Sequence, residues 1–101
     1  MKIVLQYFDG CPSWRVADER VREALARLGV DEGDLVLQEV ATEEDAARLA
    51  FAGSPTILVD GLDVFDDRTA VSGLACRRYR TGTGLEGSPS VDQLVTALSR
   101  A

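Results

Sequence analysis

Histidine is missing altogether from the 101 residues. Its absence removes every Cys–His or Ser–His catalytic pair and every imidazole metal ligand, so any chemistry must rest on cysteine or carboxylate. Cysteine is scarce, with two residues, Cys11 and Cys76. Residues 1–8 carry one cation and an apolar run too short for a signal peptide before Asp9 interrupts it, so they read as a first strand. Without an export signal, two cysteines point to a reducing compartment, where a thiol is more often catalytic, ligating or buried than part of a structural disulfide. The expected location is cytoplasmic. No stretch approaches the roughly 18 unbroken apolar residues of a membrane helix, and no membrane partner is expected. Cations are in deficit: 11 Lys and Arg against 17 Asp and Glu leave a net charge of -6. That balance is unsuited to displacing phosphate counterions, so no nucleic-acid partner is expected. Only Arg77-Arg78-Tyr79-Arg80 is locally basic.

What is present reads as one domain over residues 1–101, without internal repeat or linker. Residues 2–8 hold Ile3, Val4 and Leu5 in a row, the pattern of a strand covered on both faces and central in its sheet. Gly10 ends that run, and Trp14, Ala17, Val21, Ala24, Leu25 and Leu28 then recur at helical spacing until Gly29, predicting a helix over 12–28. Leu35, Val36, Leu37 and Val40 make a second strand. Thr42 with Glu43, Glu44 and Asp45 supplies an N-cap and first-turn acids for a short helix closed by Gly53. A helical crossover implies that the first two strands are parallel. Residues 56–59 form a third strand, left through Asp60-Gly61, a pair that favours tight hairpin turns. The fourth strand is either 62–65, directly after that turn, or 73–80, after a loop holding Asp66, Asp67 and Arg68; the later segment is preferred. Ser90 and Gln93 form a capping box for a last helix with Leu94, Val95 and Leu98 as its buried stripe. The expected fold class is α/β, a four-stranded mixed sheet with about three helices.

Two local features can carry chemistry. Cys11-Pro12 lies between strand one and helix one, where free backbone N–H groups and partial positive charge stabilise a thiolate. The Asp9 carboxylate opposes this effect, and the plain alternative for Cys11 is a small buried hydrophobe at a turn. Ser54-Pro55-Thr56 stands just before strand three. The element order, with these two features on their boundaries, resembles the thioredoxin-like superfamily, in particular its small glutaredoxin- and thioredoxin-like members. That resemblance implies a thioredoxin-like fold, a reactive Cys11, and a cis-proline at Pro55 beside it that leaves backbone groups free to pair with an extended substrate. It further implies that Pro12, Trp14, Ser54, Pro55 and Thr56 line the substrate site. Trp14 stands where the family places its second turn cysteine, so no disulfide can close within the turn; Trp14 also continues the apolar stripe and is expected chiefly to pack. Residues 87–92 partly echo the acidic, glycine-bearing turn with which glutaredoxins hold glutathione. No cofactor is required by the resemblance, and a low-molecular-weight thiol such as glutathione is the one it admits.

The function implied is that of a thiol–disulfide oxidoreductase-like protein using Cys11 as a single nucleophile on protein or small-molecule disulfides. Recycling falls to an external thiol or, less favourably, to Cys76. The alternative is a non-catalytic thioredoxin-like binding module. Topology decides what Cys76 does. With 73–80 as strand four it sits mid-strand, beyond the roughly 7 Å Cα limit for a bridge, as a packed residue. Tyr79 or Arg80 then approaches the site instead, which lets Arg80 or Arg78 lower the pKa of Cys11 or hold an anionic thiol. With 62–65 as strand four, the following loop brings Cys76 near Cys11 as a resolving sulfur. The first arrangement is preferred. Arg77, Arg78 and Arg80 are read most simply as a solvated, charge-protected edge. The acidic clusters at 31–34 and 63–67 are read as loops, Asp66-Asp67 lack the ligand spacing of a calcium loop, and no metal site is assigned.

Overall fold

The computed structural model describes residues 1–65 and 73–101. Strand β1 (Ile3–Tyr7) pairs in parallel with β2 (Leu35–Glu39), with Ile3 opposite Leu35. The crossover between them is helix α1 (Ser13–Leu28) followed by a short 3-10 turn at Glu32–Asp34. On its other side β1 pairs antiparallel with β3 (Thr56–Val59), and β3 pairs antiparallel with β4 (Leu62–Asp63), giving the sheet order β2-β1-β3-β4. The strand made of Ile3, Val4 and Leu5 is therefore interior to the sheet, as its unbroken apolar pattern requires. Helix α2 (Glu43–Arg48) follows β2, and Thr42 caps it by accepting from the Asp45 N–H. Helix α3 (Val91–Arg100) closes the described chain, with the reciprocal Ser90–Gln93 capping box in place.

The main core gathers Ile3 and Leu5 of β1, Ile57 and Val59 of β3, Ala17, Val21, Ala24 and Leu25 of α1, and Leu94 and Leu98 of α3. Each large side chain removed from water here contributes roughly 1.5–3 kcal/mol, which fixes α1 and α3 on the sheet. Gly29 takes a left-handed conformation (φ 72°), and Val30 N–H returns to Leu25 O, so α1 stops where its apolar stripe stops. Val40, Ala46 and Phe51 form a smaller cluster that seats α2.

The preferred position for strand four is overturned. Asp60 and Gly61 both adopt positive φ (50° and 86°), the mirror-image geometry whose twist matches a two-residue hairpin, so the chain turns back at once and Leu62–Asp63 becomes the fourth strand. The later segment does not join this sheet. Its end forms β5 (Tyr79–Thr81), which pairs with β6 (Gly84–Glu86) as a separate hairpin. Asp66, Asp67 and Arg68, read from the sequence as loop residues, lie outside the described residues.

Candidate functional site

Cys11 follows β1 through a tight turn in which its N–H donates to Phe8 O at 3.1 Å. Gly10 leaves room there for the Phe8 ring, which an added Cβ would meet at 2.9 Å. Helix α1 begins two residues later, with Pro12 at the N-cap and no capping side chain, so its first N–H groups are left to whatever lies at the turn. The Cys11 side chain is 0 % exposed. Its Sγ lies 3.5 Å from Ser54 O, at the bend that enters β3. The Ser54–Pro55 peptide bond is cis.

The segment 75–77 closes over this bend as a strap. Ser54 N–H donates to Ala75 O and Arg77 N–H donates to Ser54 O, both at 2.8 Å, making an isolated parallel bridge between Ser54 and Cys76. The bridge sets the two sulfurs 2.9 Å apart, with the Cys76 thiol donating to Cys11 Sγ. Cys76 is exposed while Cys11 is not. The expectation that Cys76 sits mid-strand beyond reach of Cys11 therefore falls with the strand assignment on which it rested. A hydrogen bond to the Cys11 sulfur, burial and the charge of Cys11 push the Cys76 thiol up to about 11, with the Arg78 charge pulling the other way. Cys76 accordingly keeps its proton in the reduced pair.

The strap is held down in part by Arg77, which was expected to be solvated. Arg77 is 0 % exposed. Its guanidinium donates to Asp63 Oδ2 at 2.7 Å, to Thr56 Oγ1 at 3.3 Å and to the Phe65 carbonyl, and it lies 4.7 Å from the Tyr79 ring centroid. Tyr79, also buried, donates its hydroxyl to the Pro55 carbonyl. Arg78 and Arg80 do face solvent, and it is Cys76 rather than Cys11 whose proton feels the Arg78 charge. Solvation thus holds for two arginines and fails for the third. The signal was the alternation itself: Arg77 and Tyr79 share one face of an extended segment, while Cys76, Arg78 and Arg80 share the other.

Of the remaining residues assigned to a substrate site, Ser54, Pro55 and Thr56 are buried beneath the strap, and the Ser54 N–H and C=O expected to be free are paired internally. Ser54 Oγ accepts from Phe8 N–H, and Thr56 Oγ1 donates to Gly53 O, so both hydroxyls tie the bend to its own chain. Pro12 is exposed beside the turn. Trp14 is half-buried and stacks on Tyr7 at 4.0 Å between centroids; Arg15 covers the indole at 5.0 Å. Its indole N–H is buried without a hydrogen-bond partner among the described residues. Packing on β1 thus accounts for Trp14. In the 87–92 turn, Gly87 packs directly on Ser13 at the start of α1, and Arg20 of α1 donates to Pro89 O at 3.1 Å.

A groove of about 730 Å³ lies elsewhere, between β3–β4 and α3, lined by Val59, Leu62, Phe65, Gln93, Thr96 and Arg100 among others, and neither cysteine borders it. Among the described residues, no cluster of three or more Cys, Asp and Glu side chains is placed to hold a metal ion, and no helix is long and apolar enough to cross a membrane. What the geometry offers is a sulfur pair. A disulfide is about 2.05 Å long, so the two atoms need approach by less than roughly 1 Å to bond. Compared with protein-family models, curated proteins and solved structures, the chain matches none of them.

Proposed function

We propose that the chain is a thioredoxin-like thiol–disulfide redox protein whose working couple is Cys11 with Cys76. The observation that carries this is the 2.9 Å contact between the two Sγ atoms. The mixed sheet in the order β2-β1-β3-β4 and the cis Ser54–Pro55 bond beside Cys11 agree with the thioredoxin-like resemblance and support it. The second cysteine absent from the turn is supplied by the strap, 65 residues further along the chain. A disulfide RSSR takes two electrons from the pair: the Cys11–Cys76 bond forms, the R–S–S–R bond breaks, and the two thiol protons leave with two RSH. A reducing, cytoplasmic setting would return the pair to its dithiol form.

Equilibration in graded mixtures of reduced and oxidised glutathione, followed by non-reducing peptide mapping, tests the proposal. The expected product is a single linkage between the Cys11 and Cys76 peptides, forming and disappearing reversibly across the series. A binding module that has lost turnover would leave both thiols free, or capped separately, over the same range, and that result rejects the redox couple.

A further inference from the structure

The two sulfurs of the pair are not equivalent, and the order of their roles follows from which one the outside can touch. We propose that Cys76, and not the turn cysteine Cys11, is the sulfur at which external thiols and disulfides exchange with the pair. This rests on the redox couple proposed above. Cys11 is fully buried, so an incoming sulfur has no open approach to it, whereas Cys76 is exposed on the outer side of the strap. Thiol–disulfide exchange depends on access to the attacked sulfur as well as on the leaving group, and both select the same outcome. A thiolate RS⁻ that attacks Cys76 Sγ forms an R–S–Sγ76 bond and breaks the Sγ11–Sγ76 bond, and Cys11 departs as the thiolate beside the uncapped start of α1. A second RSH then reduces the mixed disulfide, giving RSSR and the Cys76 thiol, while Cys11 takes up a proton. Two RSH have lost two electrons and the pair has gained them. In the opposite direction Cys76 gives up its proton as it attacks RSSR, so that the R–S–Sγ76 bond forms and one RSH leaves, and Cys11, releasing its own proton, then displaces the second RSH as the Sγ11–Sγ76 bond closes.

The anchoring of the strap points the same way. Ser54 N–H and C=O are both engaged by Ala75 and Arg77, so an extended substrate strand cannot pair at the cis-proline bend without unseating the segment that carries Cys76. Arg77 and Tyr79 bind that segment to Asp63, Thr56, Phe65 and Pro55. The partner is therefore a compact thiol or disulfide that meets Cys76 end on, rather than an extended peptide added as a strand.

The aromatic disulfide 5,5′-dithiobis(2-nitrobenzoate) separates the roles. Cys11→Ala should release one equivalent of thionitrobenzoate and hold a stable adduct on Cys76. Cys76→Ala should react at least about tenfold more slowly, because its remaining thiol is buried. Equal or faster reaction of Cys76→Ala, with a melting temperature matching the wild type, overturns the assignment. Since removing Cys76 can loosen the strap, a second measurement uses the unmutated protein: the oxidised form is mixed with limiting cysteamine, quenched in acid and mapped. A mixed disulfide on Cys76 supports the proposal and one on Cys11 rejects it. Failure of the wild type to form any Cys11–Cys76 linkage would instead remove the redox couple itself, a result the two single-cysteine variants do not depend on.

Discussion

The turn that carries Cys11 and the strap that carries Cys76 meet at one sulfur contact but are held by different forces. The turn is local and apolar. It hangs from β1, whose Ile3 and Leu5 are fully buried, and is fastened by a hydrogen bond between residues three apart. The strap is polar and long-range: a backbone bridge to Ser54, a buried guanidinium reaching Asp63 and Thr56, and a phenol on the Pro55 carbonyl. Apolar burial is non-directional and tolerates small displacements, whereas a buried cation demands every partner in place. The sulfur pair therefore has one robust side and one that depends on a buried ion pair and on hydrogen bonds to the bend.

Removing Arg77 is the largest expected break in that asymmetry. Arg77→Met keeps apolar bulk but abandons Asp63, Thr56 and the Phe65 carbonyl. Because the Asp63 side chain keeps 26 % exposure, part of its charge returns to water, and the loss should be about 2–3 kcal/mol rather than the full cost of a stranded buried ion. Urea denaturation measures that loss. The same variant should alkylate at Cys11 faster than wild type, since the strap is what covers it, while Arg78→Met, at an exposed position, should change stability little. Unchanged Cys11 labelling in Arg77→Met would show that the strap does not depend on its arginine.

The same contrast explains what could be read from the amino-acid sequence. The apolar run of β1, the 3.6-residue stripe of α1, the Gly29 stop and the Ser90–Gln93 box are local patterns, and each element stands where its pattern places it. The Cys11 turn belongs to that class. The strap does not, because its partners lie 12 to 24 residues away and polar pairing leaves no periodicity in hydrophobicity. Even so, one local signal was sufficient to redirect the topology: Asp60-Gly61 is a hairpin pair, and with the fourth strand placed directly after it, Cys76 is released to reach Cys11. The burial of Arg77 has no comparable signal in its composition, since a basic run ordinarily marks a solvated edge.

The robust side has its own point of failure, smaller than the first. Gly87 meets α1 at its opening turn, where an added Cβ would lie 2.6 Å from Ser13 Cβ. Gly87→Ala should cost about 1–2 kcal/mol by overpacking, and Ser13→Gly in the same chain should recover part of it, because the clash is with the Ser13 side chain, its Oγ as well as its Cβ. The strap should be untouched, so Cys76 labelling should stay at the wild-type rate. Additive losses in the double variant would place the strain somewhere other than this contact.

The least expected effect concerns protons shared across the junction. The Cys76 thiol stands at about 11 because it donates to Cys11 and lies near its charge, against about 8.5 for an ordinary thiol. The folded state thus binds this proton more tightly than the unfolded state. Its contribution to stability is complete below about pH 8.5 and declines as the pH rises through about 11. Exposure of Cys76 keeps the contribution modest, since solvent screens the charges involved. Comparing reduced wild type with Cys11→Ala cancels the titration of Lys and Tyr in the same interval. Wild type should lose more stability than the variant between pH 8.5 and pH 10.5, and alkylation of Cys76 in the variant should follow a titration shifted down toward the ordinary thiol value. The oxidised wild type, in which neither sulfur holds a proton, should lack the extra loss. Parallel pH profiles for reduced wild type and variant would mean that the two sulfurs do not share a proton, and that the turn and the strap meet without electrostatic coupling.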